Sequence, residues 1–177
     1  MPRLIRPRTM ASEAAALGYV GVTAGETERA IEMIYERRAV HLWSYARRMG
    51  MDSSMAEQLV QEAFARLLLA SRGPRSPENA DAWLFRVVHN LAMDEHRRSR
   101  PSPVRLIQPE DRTDERLALW QEVDRLPEKQ RAAVYLRYRA DLDFAGVAFV
   151  LGITESGARA NVFRALARLR ERMTDRE

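Results

Sequence analysis

The sequence predicts an all-α fold of two small helical domains joined by a flexible acidic linker. Three observations carry that reading. Apolar residues recur at three- and four-residue spacing along most of the chain, the period of a helix with one buried face. No stretch alternates apolar and polar residues as a strand does. A non-periodic stretch opening on Pro101 and Pro103 separates the periodic blocks. The division is 1–25 as an N-terminal extension, 26–100 as the first domain, 101–118 as the linker and 119–177 as the second domain.

Each element has its own signal. From about 26 to 49, Ala30, Ile31, Ile34, Tyr35, Leu42, Trp43 and Tyr45 form an apolar stripe that Gly50 ends. Asp52, Ser53 and Ser54 offer cap chemistry for a second helix to about Leu69, with Met55, Leu59, Ala63, Leu67 and Leu68 inward. Ser71 to Pro77 is a loop on turn residues alone. A third helix spans about 80–98 and ends in Arg97 and Arg98 before the prolines. The neighbourhood 108–124 sets six acidic residues against Arg112 and Arg116; it reads either as a solvated linker followed by a helix surface or as a segment for a partner's basic groove. Leu126-Pro127 opens a helix through Val134, Leu136 and Tyr138. Asp141 to Asp143 breaks it, and two more helices follow over 144–151 and 155–173.

Composition narrows the function. With 177 residues, 46% hydrophobic and 31% charged, the chain can fill one core or two small ones of about 60–80 residues. No apolar run approaches the ~20 residues of a membrane span, and no secretory leader is visible, so direct membrane insertion is not expected and a cytoplasmic location is. There is no cysteine, hence no disulfide, thiolate metal site or cysteine nucleophile. His41, His89 and His96 lack metal-ligand spacing, and no glycine-rich phosphate loop appears. The chain therefore reads as non-catalytic, with no cofactor and no metal. The net charge of +4 leans toward a polyanion partner. All basic residues but Lys129 are arginine, which suits phosphate and base contacts and also follows from GC-rich coding.

Two stretches point to nucleic acid. A short apolar helix, the turn Gly152-Ile153-Thr154 and an amphipathic helix make a helix-turn-helix pattern. Ala158, Val162, Ala165, Leu166 and Leu169 share one face of the last helix, and Arg159, Asn161, Phe163 and Arg164 lie off it. Such a helix can enter a major groove. In the third helix, Trp83-Leu-Phe-Arg-Val-Val-His-Asn90 interleaves aromatic and basic residues, a composition suited to melted DNA and equally to a core helix. On the second helix, Gln58, Gln61 and Glu62 form a polar strip beside the apolar one, either a solvated face or a docking face.

These stretches, Ala56 to Phe64, Trp83 to Asp94, and Leu126-Pro-Glu-Lys-Gln-Arg131 with the helix-turn-helix after it, resemble the extracytoplasmic-function (ECF) sigma factors of bacterial RNA polymerase. The resemblance runs from about Glu26 to Met173. It implies a sigma region 2 helical bundle and a sigma region 4 helix-turn-helix, with promoter DNA and core polymerase as partners. It implies docking on the clamp helices of the largest subunit through Gln58, Leu59, Gln61 and Glu62, and contact with the flap of the second subunit. It puts −10 element recognition on Trp83, Arg86, Asn90, Arg97 and Arg98, with Asn90 at the start of a loop that captures a flipped base. It puts −35 recognition on Glu155, Ser156, Arg159, Asn161, Phe163 and Arg164. It also implies an anti-sigma factor as a further partner, and a connecting segment that threads toward the polymerase cleft. The family often carries aspartate where Gln58 stands, and Ala160 and Asn161 depart from its usual residues. Residues before about Gly25 lie outside the resemblance, as an extension or as a sign that translation starts at Met10 instead of Met1. The competing reading is a free-standing helix-turn-helix regulator that binds operator DNA without polymerase; it has no use for the Trp83 to Asp94 pattern.

Overall fold

The computed structural model describes residues 24–73, 76–98 and 114–174. Most of the N-terminal extension and residues 101–113 of the linker lie outside the described residues. Seven helices follow one another in the described chain: α1 (Ala24–Arg48), α2 (Ser53–Ser71), α3 (Ala80–Arg98), α4 (Asp114–Asp124), α5 (Glu128–Tyr138), α6 (Phe144–Leu151) and α7 (Glu155–Thr174).

The helix ends follow from local chemistry. Asp52 caps α2 by accepting from the backbone N–H of Met55 at 2.8 Å, and Asn79 accepts from Ala82 at 2.9 Å as α3 begins. Pro127 stands at the N-cap of α5, where its missing N–H costs nothing. Asp143 caps α6 on Gly146 at 2.7 Å, and Thr154 caps α7 on Gly157 at 3.1 Å. Gly152 closes α6 in the left-handed region at φ 63, a conformation that glycine enters without steric cost. Helix α4 begins inside the stretch read as linker, five residues ahead of the expected 119 boundary. The buried Val123 and half-buried Trp120 give it a packing face, and tertiary burial outweighs the weak periodicity of the segment.

The first three helices pack mutually around Leu42, Tyr45, Ala63, Leu67, Leu84, Phe85 and Val88. Tyr35, expected on the inner stripe of α1, is 47% exposed, although its ring meets Phe64 edge-on at 4.9 Å. The last four helices form a second layer in which α7 lies against α4, α5 and α6. These two units do not keep separate cores. One apolar cluster runs from Ile34 through Ala92 and on through Ala132 to Val162, with a satellite of Val123, Leu126, Val134, Ala165 and Leu169.

The junction is aromatic with ionic edges. The rings of Tyr45 on α1 and Tyr135 on α5, both essentially unexposed, lie 5.5 Å apart, and Trp120 meets Tyr135 edge-on at 6.0 Å. The Tyr135 hydroxyl donates to the carbonyl of His41 at 2.8 Å. Arg48 pairs with Asp124 at 3.1 Å, with both side chains almost wholly buried, and its guanidinium lies over the Trp120 ring at 5.1 Å. Arg38 donates to Asp81 on α3 and to the carbonyl of Ala140 at 3.3 Å. Burial pushes the Asp124 carboxyl above its ordinary range, against the pull of Arg48 and Arg131, so desolvation is the larger effect at this pair.

His89 completes the junction. Its Nδ1 and the Tyr45 hydroxyl share a hydrogen bond at 2.9 Å. Burial holds the imidazole below its ordinary value near 6.5; Glu128 pulls it up and Arg86 adds to the lowering. Burial likewise raises the Tyr45 phenol, which stays protonated.

Two outcomes follow. Phe85 is fully buried and meets Tyr45 edge-on at 5.6 Å, so Phe85→Ala lowers unfolding stability by about 3–5 kcal/mol in urea titrations; a loss under about 1 kcal/mol contradicts this packing. Below 6.5 the unfolded chain binds a proton at residue 89 that the folded chain resists, so stability is full above that pH and falls as the pH drops toward the depressed folded value. Comparing thermal midpoints at pH 7.5 and 5.5, His89→Gln shows a smaller drop than the parent chain; equal drops would exclude His89 as the cause.

Candidate nucleic-acid and polymerase interfaces

Three surfaces carry the residues singled out by sequence. The first is α3. Trp83, Arg86, Asn90 and Arg97 are spaced by three, four and seven residues, so they follow one stripe of the helix. Trp83 is half-buried and packs on the core. Arg86 is half-buried: its guanidinium lies over the Phe149 ring of α6 at 4.6 Å and donates to the Phe149 carbonyl. Asn90 is exposed. Arg97 is exposed and pairs with Asp94, and Arg98 ends the helix in solvent. Asn90 does not stand at the start of a loop. Helix α3 continues through Arg98, because Ala92 buries fully and Leu91 and Met93 pack on the core beyond it.

The second surface is α7. Ala158, Val162, Ala165 and Leu169 bury one side. Glu155, Ser156, Arg159, Phe163 and Arg164 are all exposed, and Phe163 stands 65% in solvent. Arg159 pairs with Glu155 one turn back, and its guanidinium lies over Phe144 at 4.6 Å. Asn161 does not join this surface: it is half-buried, and its amide donates to the Gly157 carbonyl of its own helix at 3.0 Å. Its position falls on the other flank of the buried stripe, two residues from Arg159 and therefore about 200° around the helix. Arg164 turns its Nε onto the Ala160 carbonyl at 3.2 Å.

The third surface is α2. Gln58, Gln61 and Glu62 are exposed, and Glu62 pairs with Arg66 at 2.8 Å. Leu59 is only 7% exposed and belongs to the core. A leucine inside the α2 apolar stripe is drawn inward by burial, so it supports the strip from beneath and offers no face to a partner.

Sequence reasoning missed the residues that link the units. Arg48, Asp124, Tyr135 and Phe149 come from four helices, and nothing local marks any of them. Phe144 carried one overlooked signal, an aromatic at the first position of a short helix with an arginine one turn into the next. Among the described residues, no helix is long and apolar enough to cross a membrane.

Comparison with known proteins agrees with this arrangement. The Sigma-70 region 2 model matches residues 34–101, and the Sigma-70, region 4 model matches residues 116–169. The chain is 31% identical over 153 residues to the ECF RNA polymerase sigma factor SigL of Mycobacterium tuberculosis, covering 77% of this chain and 85% of that protein. It is 30% identical over 150 residues to SigM of the same organism, covering 79% and 75%. It is 32% identical over 142 residues to the RNA polymerase sigma-E factor of Streptomyces coelicolor, covering 75% and 79%. The solved structure of CnrH in complex with the cytosolic domain of CnrY shares the fold, with a TM-score of 0.63 at 23% identity over 94% of this chain and 98% of that one. A free-standing operator-binding regulator has no counterpart to the region 2 match. The chain belongs to the ECF sigma factors of RNA polymerase, alternative sigma factors that direct promoter-specific transcription initiation.

Proposed function

We propose a division of labour among the three surfaces. The α7 surface of Ser156, Arg159, Phe163 and Arg164 reads the −35 element as duplex, with Glu155 at the helix start. The α3 stripe of Trp83, Arg86 and Asn90, with Arg97 and Arg98 at its end, reads the −10 element. Gln58, Gln61 and Glu62 on α2 dock on the clamp helices of core polymerase. The observation that carries this reading is the polarity of α7: its apolar side is fully used by the core, and the opposite side presents arginine, serine and an exposed phenylalanine. That is the arrangement a groove-entering helix requires. The protein supplies specificity and the polymerase supplies the chemistry, in the cytoplasm. An anti-sigma protein is the natural regulator of such a factor.

Geometry adds a requirement. The −35 and −10 elements are about 25 base pairs apart by their names, about 85 Å of duplex at 3.4 Å per pair. Here Arg86 of the −10 stripe touches Phe149 of the helix-turn-helix. The contact between α3 and α6 therefore opens when both elements are engaged, and Arg86 exchanges the Phe149 ring and carbonyl for DNA.

Transcription in vitro with purified core polymerase on a genomic promoter library tests the reading. New start sites that depend on the protein are expected. Arg159→Ala weakens promoter recognition by about 1–3 kcal/mol and leaves core binding intact; Gln61→Ala with Glu62→Ala weakens core binding and spares promoter preference in the holoenzyme that does form. Equal effects of both changes on both steps would refute the division, and no initiation with tight duplex binding in the absence of core would favour an operator-binding regulator.

A further inference from the structure

We infer that Phe144 is a positioning residue for Arg159, and that it sets how sharply the −35 element is read. The inference rests on the assignment of Arg159 to duplex reading. Two caps place the parts. Asp143 fixes the start of α6 and Thr154 the start of α7, so Phe144 and Glu155 are the first residues of the two helices that form the helix-turn-helix. Between them lies the Arg159 guanidinium, 4.6 Å over the Phe144 ring and paired through Nη2 with the Glu155 carboxylate. A second guanidinium, Arg137 of α5, lies 5.5 Å from the same ring and donates to the Leu142 carbonyl at 3.2 Å. The ring is therefore braced from α5 and offered to α7.

The chemistry suits positioning. A long arginine on a helix surface samples many rotamers, and a base pair selects one of them. The negative face of an aromatic ring attracts the cation without using any of its hydrogen-bond donors. Glu155 takes one nitrogen of the planar fork, and the other N–H groups have no partner among the described residues. Those donors are the ones that a bidentate contact with a base edge needs. Phe144 thus orders the reading group without competing with what it reads. It does not touch the base itself.

The test uses holoenzyme assembled with the full chain and measures binding to the matched promoter and to promoters with each −35 base pair exchanged in turn. Arg159→Ala identifies the pair that Arg159 reads, as the position where the match-over-mismatch ratio collapses. Phe144→Leu keeps an apolar side chain of similar volume and removes the ring. At that same position it lowers the ratio by about two- to fivefold, the worth of a cation–π contact at an exposed site. Phe144→Trp restores the ratio, and in the Arg159→Ala background Phe144→Leu changes it less than about 1.5-fold. Thermal midpoints of the purified variants separate a packing defect, which lowers binding to all promoters alike. An unchanged ratio in Phe144→Leu overturns the proposal, and so does a loss that persists without Arg159. If Arg159→Ala itself moves no ratio, the assignment of Arg159 to the −35 element is what fails, and the positioning role falls with it.

Discussion

The seating of Tyr135 against Tyr45 determines how everything else is placed. One ring comes from the second helical unit, the other from the first, and neither retains meaningful contact with solvent. Burying two large aromatics at one junction supplies a substantial hydrophobic term. Both phenol hydroxyls are paired, while Gln130 Oε1 and Arg131 Nε stay buried without a hydrogen-bond partner among the described residues. The Tyr135 hydroxyl finds a carbonyl of α1, and the Tyr45 hydroxyl finds His89. The Arg48–Asp124 pair beside them is deeply buried, and such pairs recover little beyond their desolvation cost. Its contribution is to register: a guanidinium between Trp120 and Tyr135 fits one mutual placement of α1, α4 and α5.

From that junction the functional surfaces are carried outward by rigid elements. α2 and α3 lean on α1, and their polar faces point away from it. α7 is aimed by α6, whose two ends are set by a side-chain cap and a left-handed turn. The same packing brings Arg86 of α3 against Phe149 of the helix-turn-helix, so the α3 stripe and the second unit are neighbours.

Much of this was legible in the sequence, for identifiable reasons. Six of the seven helices announce themselves through period and punctuation: Asp52, Pro127, Asp143, Gly152 and Thr154 stand at the ends the structure gives them. The buried stripe of α7 was readable as Ala158, Val162, Ala165 and Leu169 because periodicity reports which side of a helix is apolar. What periodicity leaves open is which neighbour covers that side. Hence the merging of the two cores, the pairing of Arg48 with Asp124 and the seat of Arg86 on Phe149 were not readable: each joins residues more than 60 positions apart. Leu59 and Asn161 show the finer limit. A family motif marks positions along a helix, but burial and a local amide–carbonyl bond decide where those two side chains go. The onset of α4 inside the linker shows the converse, a helix held by tertiary contacts that its own sequence signals weakly.

One feature of the backbone bears on how such a protein can change. Helix α6 is bracketed by two residues with positive φ, Asp141 at 57 and Gly152 at 63. Each turns the chain through backbone conformation, and a Cβ added at Gly152 would meet nothing within 4 Å. The direction of α7 is therefore written into two corners rather than into the outer side chains of α6. Ala145 is exposed on that outer side, and Phe149, about half exposed, meets Arg86 of α3 there. The strut can exchange its surface residues, and with them its neighbours, while α7 keeps its bearing. Change on the outside of α6 is thereby uncoupled from the bearing of α7.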